Sequence, residues 1–288
     1  MIKFRFIKMK QILVLTISLC ISFSVKGQKA QTPKVKNIFW VQPNNVSKIN
    51  GVALGPFNSS SWSDHDHLMV NGLNIELIGN GLWGYFLPHP SFPETNYNTV
   101  NGISLSPTYF GGTNNGITLS ALTIMSNMNG LNLGLLSRVN NMSSGINFGF
   151  MMVKSEKMKG AQIGFFTNAR DGKGLFLGGI AMSNKMKGVQ IGIFNHVQKG
   201  NGLFIGGFEC SADTLNGVSV SMVNLTDSTH KGLQIGLFNY ANSLNGTQIG
   251  LINYAKDAKI PFTLFFNRNR KKKKALINRG SDNVTSLP

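Results

Sequence analysis

The stretch MKGVQIGIFNHV, residues 186–197, returns as HKGLQIGLFNYA from residue 230 and as LNGTQIGLINYA from residue 244, with MKGAQIGFFTNA at residue 158. Aligned on the glycine after the basic or polar residue, thirteen units begin at Gly51, Gly72, Gly102, Gly116, Gly130, Gly145, Gly160, Gly174, Gly188, Gly202, Gly217, Gly232 and Gly246. From Gly102 onward every spacing is 14 or 15 residues. A fixed period of this kind means that one structural element is reused, each copy burying surface against its neighbours. A second order is superimposed: MKGAQIG recurs as MKGVQIG 28 residues later, and GLFLGG at Gly174 recurs as GLFIGG at Gly202.

With the leading glycine as position 0, positions 1, 3 and 5 are almost always apolar, as in Val189, Ile191 and Ile193 or Leu233, Ile235 and Leu237. Position 2 is Gln, Asn, Ser or Thr in most units, and position 4 is Gly or Ser except where Glu76 stands. Alternation with period two belongs to a strand, and the clusters ARDG, QKG, TDS and ANS that follow are turn-forming. Each unit therefore reads as one strand of about ten residues and one short turn, and the predicted fold class is all-β.

Two pairings satisfy this pattern. In an antiparallel meander, position p of one strand faces position 6 minus p of the next. The large residue at position 6 (Phe194, Phe238, Ile252) then covers a cross-strand glycine. The glycines Gly164, Gly192, Gly236 and Gly250 at position 4 then face the polar residue at position 2. The alternative is a β-solenoid that stacks each unit on its like, with Gln162, Gln190, Gln234 and Gln248 in ladders. A fourteen-residue coil needs at least two corners, whereas each unit shows one strong turn cluster, so the meander is favoured. Strands of about ten residues without charged faces also suit an outer-membrane barrel. Counting PFTLFFNRNR, with Phe262, Leu264 and Phe266 alternating, gives about 14 strands. Against closure, the long connections follow Gly51 and Gly72 consecutively. A soluble exported repeat domain is the competing reading.

The formal net charge of +17 is concentrated at the ends. Five basic residues precede residue 28, and Arg268, Arg270, Lys271 to Lys274 and Arg279 lie in the tail. The basic start MIKFRFIKMK, the apolar run ILVLTISLCISFSV and the small residues near Gly27 read as a signal peptide. The expected organisation is a signal peptide over 1–27, a lead-in over 28–50, the repeat domain over 51–267 with irregular insertions in 56–101, and a basic tail over 268–288. Of the two cysteines, only Cys210 would survive processing, which leaves no internal disulfide.

Residues capable of chemistry are sparse. In SDHDH, alternate residues place His65 and His67 on one side of an extended segment and Asp64 and Asp66 on the other. A zinc or copper site needs three or four converging groups, for which Glu76 and His89 are conceivable additions. The plain reading is a hydrophilic insertion. His196 and His230 fall where other units carry Tyr, Asn or Lys, and read as surface variation. No phosphate loop, paired carboxylates or activated cysteine is visible in the sequence, and neither an enzyme nor a cofactor is expected. The tail Arg268–Lys274 suits a membrane surface, anionic lipid or lipopolysaccharide, and self-association is a further possibility; in an exported chain nucleic acid is not expected.

The units GVQIGIFNHV, GLQIGLFNYA and GTQIGLINYA resemble the surface-repeat proteins of bacterial envelopes, over residues 51–255 and most strongly from residue 160. That resemblance implies export to the cell envelope, outer membrane or cell surface, with a structural or adhesive role and no known activity. Gln234, Gly236, Asn239 and Ala241 are also similar to the repeats of curli subunits, which implies a capacity for self-stacking. The alternative function is an exported ligand- or metal-binding protein that uses 56–101 as its site and the array as scaffold.

Overall fold

The computed structural model describes residues 35–41, 46–56, 68–79 and 98–270. The chain divides into two compact units, residues 1–178 and 179–288. Strands β1 (Val35–Val41), β2 (Lys48–Gly55), β3 (Met69–Glu76), β4 (Thr99–Leu105) and β5 (Thr108–Leu119) precede β6 (Leu122–Val220), an extended path that bends through successive repeats. β7 (Val223–Ile235), β8 (Phe238–Ala255) and β9 (Phe262–Asn269) follow. The described residues are all-β, as the alternation requires.

Direction of pairing is where the structure departs from the expected meander. In the N-terminal unit β1 to β6 pair in parallel, and equal positions face each other: Gly51 opposite Gly72, Gly72 opposite Gly102, Gly102 opposite Gly116, and Gly116 opposite Gly130. In the C-terminal unit Gly217 faces Gly232, and Gly232 faces Gly246, again in parallel. Each repeat is one coil of a β-solenoid; the antiparallel meander and the barrel of about 14 strands are corrected accordingly. Among the described residues only β9 runs antiparallel, against β8, closing the last coil's edge. Its sequence was legible as a strand, counted as a barrel stave; in the structure it covers an edge.

The corners that seemed to be lacking are made by single residues. Gly232 has φ of 130°, and a side chain there would run into the carbonyl oxygen of Gly217 one coil away. Only glycine tolerates both the dihedral and the approach. At position 4, a Cβ on Gly236 would collide with the Ser221 carbonyl oxygen and lie 2.7 Å from Asn224 Nδ2. The position-4 glycines therefore meet neighbouring backbone, not the polar residue at position 2. Where the spacing is 15, the register shifts between Ala212 and Thr214 and between Thr226 and Thr229, so the extra residue is absorbed as a bulge in the turn.

The start of the array also lies earlier than the glycines indicate. β1, inside the expected lead-in, pairs in register with β2 and places Ile38 opposite Gly51. Ile38 takes φ of 84°, a conformation foreign to a β-branched residue.

Inside and outside are reversed relative to a simple hydrophobic reading. Position 2 is interior: Asn132, Gln162, Gln190, Gln234 and Gln248 are fully buried. A buried amide is tolerated only when bonded. Gln248 Nε2 donates to Gln234 Oε1 (2.7 Å) and to the Tyr254 carbonyl (3.1 Å), and Gln234 Nε2 donates to the Tyr240 carbonyl (3.3 Å). The glutamine thus reaches across its own coil. The asparagine at position 7 closes the next corner, Asn253 Nδ2 donating to the Gly250 carbonyl (3.0 Å) and Asn239 Nδ2 to Asn253 Oδ1 (2.8 Å). Gly-x-Gln-x-Gly-x-x-Asn is therefore two corners and two internal staples. Apolar interior comes from the position two before the glycine, with Met158, Met186, Leu215 and Leu244, and from small residues near position 9, such as Ala169 and Ala241.

Candidate interaction surface

Positions 1, 3, 5 and 6 point outward. Phe150 is 66% exposed, Ile193 52% and Leu251 51%, while Phe165, Phe166, Phe194, Phe208 and Phe238 at positions 5 and 6 are exposed as well. Scattered exposed apolar residues are ordinary, but parallel stacking sets equal positions side by side and turns them into columns, interrupted at position 5 by Gly179 and Gly207. In the C-terminal unit Phe194 packs against Phe208 with ring centroids 5.6 Å apart, and Tyr240 stacks on Tyr254 at 5.6 Å with the rings 2° from parallel. Phe194 therefore meets its own equivalent, not the glycine expected from antiparallel pairing.

Between the columns at positions 3 and 5 runs the small residue at position 4. In the C-terminal unit this leaves a trench of about 650 Å³ floored by Gly206, Ser221, Gly236 and Gly250. Exposed Phe265 of β9, with φ of 64°, forms part of its lining. Arg268 and Arg270 follow on the same segment, both exposed; Lys271–Lys274 lie outside the described residues.

A second surface, in the N-terminal unit, escaped the sequence reading. The residue before the corner glycine is Asn in successive coils, and each side-chain amide donates to the previous one. Asn50 donates to Asn37 (2.8 Å), Asn71 to Asn50 (2.8 Å), Asn101 to Asn71 (2.7 Å), Asn115 to Asn101 (2.7 Å) and Asn129 to Asn115 (2.8 Å). The recurrent Asn-Gly pair was the available signal. Later coils carry exposed Lys159, Lys173, Lys187 and Lys231 at this position.

His65, His67 and His89 lie outside the described residues, as do most of the insertion 56–101 and the whole signal segment. Glu76 lies inside the coil, accepting from Asn74 Nδ2 (3.1 Å) and Ser106 Oγ (3.1 Å). Among the described residues, no three or more His, Cys, Asp or Glu gather in a way that could hold a metal ion.

His230, expected at the surface, is buried between Leu215 and Leu244 of the adjacent coils, and burial lowers its pKa to about 4. His196 is half-buried, with Nδ1 3.0 Å from Ser211 Oγ. Burial, reinforced by the charge of Glu209, pushes the Cys210 thiol up to about 12. Burial first, and then the Glu76 carboxylate, raises the Tyr109 phenol above its ordinary range. Each of these three buried groups is driven toward its uncharged form.

No family model, no curated protein and no solved structure matches this chain.

Proposed function

We propose that this chain is a non-enzymatic repeat protein of the bacterial cell envelope, with a structural or adhesive role exerted through the outer faces of its solenoid units. The observation that carries the reading is the outward placement of apolar positions 1, 3, 5 and 6 in coil after coil. Ordered apolar columns are what a contact surface requires, and their contiguity distinguishes them from incidental exposure. The interior supports the same reading, because its glutamines are engaged in closing coils and burial drives His230, Cys210 and Tyr109 toward their uncharged forms. Export follows from the expected signal peptide over 1–27, and the basic tail suits an anionic envelope surface.

Fractionation of the producing cells, with sequencing of the mature N-terminus, tests the proposal. The expected product is envelope-associated and begins near Gln28. Recovery of the chain from the cytosol with Met1 retained would overturn it.

A further inference from the structure

The trench on the C-terminal unit has a shape and lining that specify an occupant. Its walls are the side chains of position 3, with Ile235 and Ile249, and of position 5, with Met222, Leu237 and Leu251. No charged residue lines it. The floor residues occupy successive coils over three inter-strand steps, about 14 Å, and the walls stand along the last two of those steps, about 10 Å. Its two walls are only two residues apart along the chain, roughly 7 Å. That backbone spacing excludes a helix, which with its side chains is about 10 Å across, and leaves an extended hydrocarbon chain as the narrow occupant that can lie along it.

Charge supplies the second half of the argument. Phe265 stands opposite Gly250 and Arg268 opposite Thr247, so the first arginine is three residues, about 10 Å, from the trench along β9. Arg270 follows two residues further on. From residue 179 to 270 the sequence has eight basic residues against four acidic ones. An apolar slot one chain wide, with cations beside one end, is complementary to an amphiphile with an anionic head.

We propose that this trench binds an acyl chain of an anionic lipid, with Arg268 and Arg270 meeting the headgroup. The assignment deepens the envelope reading and is tested separately from it: vesicle binding by purified protein can fail while fractionation still finds the protein in the envelope.

The experiment uses the purified processed chain and flotation with vesicles of phosphatidylcholine alone or mixed with phosphatidylglycerol. Leu237→Gln combined with Leu251→Gln makes the walls polar at exposed sites, and Arg268→Gln combined with Arg270→Gln removes the nearby charge. Circular dichroism and the thermal midpoint establish that both variants are folded. Wild type should float with the mixed vesicles, the wall variant should bind about tenfold more weakly, and the arginine variant should lose much of the preference for phosphatidylglycerol. Absence of wild-type binding would overturn the proposal. So would wall-variant binding equal to wild type, which would assign the interaction to the basic tail alone. A dimer that the wall substitutions dissociate, without vesicle binding, would make the trench a contact between copies and likewise overturn it.

Discussion

The Phe204 ring lies over Gly200, so closely that a Cβ on Gly200 would come within 2.7 Å of the ring's Cζ and 2.9 Å of Leu215 Cδ1. This pair explains the 28-residue order superimposed on the repeat. Where position 2 carries Gln162 or Gln190, the interior residue two before the corner is Met158 or Met186; where it carries Phe176 or Phe204, that residue is Gly172 or Gly200. Large and small exchange places so that the volume inside a coil is conserved.

The exchange should be transferable. Gly200→Met alone overpacks the coil and should cost about 1–3 kcal/mol, and Phe204→Gln alone leaves a cavity worth roughly 2–4 kcal/mol. Made together, they recreate the Met186–Gln190 pairing, and the loss should be well below the sum of the two. Chemical denaturation of the four proteins of the cycle measures this; strict additivity would show that the two side chains do not share one space.

The stacking of Phe194 on Phe208 gives a direct test of strand direction. Cysteines at 194 and 208, in a Cys210→Ala background, should oxidise readily to a disulfide, because in-register neighbours fall within its narrow span of Cα separation. Cysteines at 194 and 202 should not. Efficient crosslinking of the second pair and none of the first would restore the antiparallel arrangement.

Strand content and unit length were legible because period-two alternation and a constant spacing are local properties. Pairing direction was not, since an antiparallel and a parallel stack both bring the residue at position 3 beside its equivalent in the next unit; only residues such as Phe194, at position 6, distinguish them. Which face is interior does not follow from hydropathy alone. Ile235 and Leu237 are apolar and Gln234 is polar, and transfer free energy alone places the glutamine outside. Parallel in-register stacking changes that balance by setting Gln248 on Gln234 and Asn132 on Asn147 one coil away, while each buried glutamine also donates to a carbonyl across its coil. The polar residue at position 2 was therefore the sign of the interior. His230 was misplaced for a related reason: sequence comparison set it against Lys and Tyr, whereas its structural equivalents are Leu215 and Leu244. For the candidate surface, the apolar columns and the basic tail were visible as composition, but the trench depends on corners made by position-4 glycines.

His230 should make the C-terminal unit acid-sensitive. Its folded pKa of about 4 lies below the ordinary 6.5, so the unfolded chain takes up the proton first. Stability from this site is complete above about pH 6.5 and is lost as the pH falls from there toward 4. The full difference is on the order of 3 kcal/mol. His230→Leu matches its column neighbours and should flatten the denaturation midpoint between pH 6.5 and 4 relative to wild type. An unchanged pH dependence in the variant would place the titrating group elsewhere.

Ile38 and Gly232 occupy the same corner position, with opposite consequences for substitution. Ile38 holds φ of 84° with a β-branched side chain that is 81% exposed, so it incurs strain with little burial in return. Ile38→Gly should remove that strain and strengthen pairing of β1 on β2, by roughly 1 kcal/mol after the greater flexibility of glycine in the unfolded chain is subtracted. Gly232→Ala introduces the strain that Ile38 bears and adds a collision with the backbone of Gly217, so a loss of about 2 kcal/mol or more is expected. Amide hydrogen exchange reads both locally: protection over Val35–Val41 should rise in the first variant, and protection around Gly217–Gly246 should fall in the second. If Ile38→Gly instead lowers protection of β1, the exposed isoleucine contributes more through contact than it costs through its backbone, and the corner at the N-terminal edge tolerates what the interior corners do not.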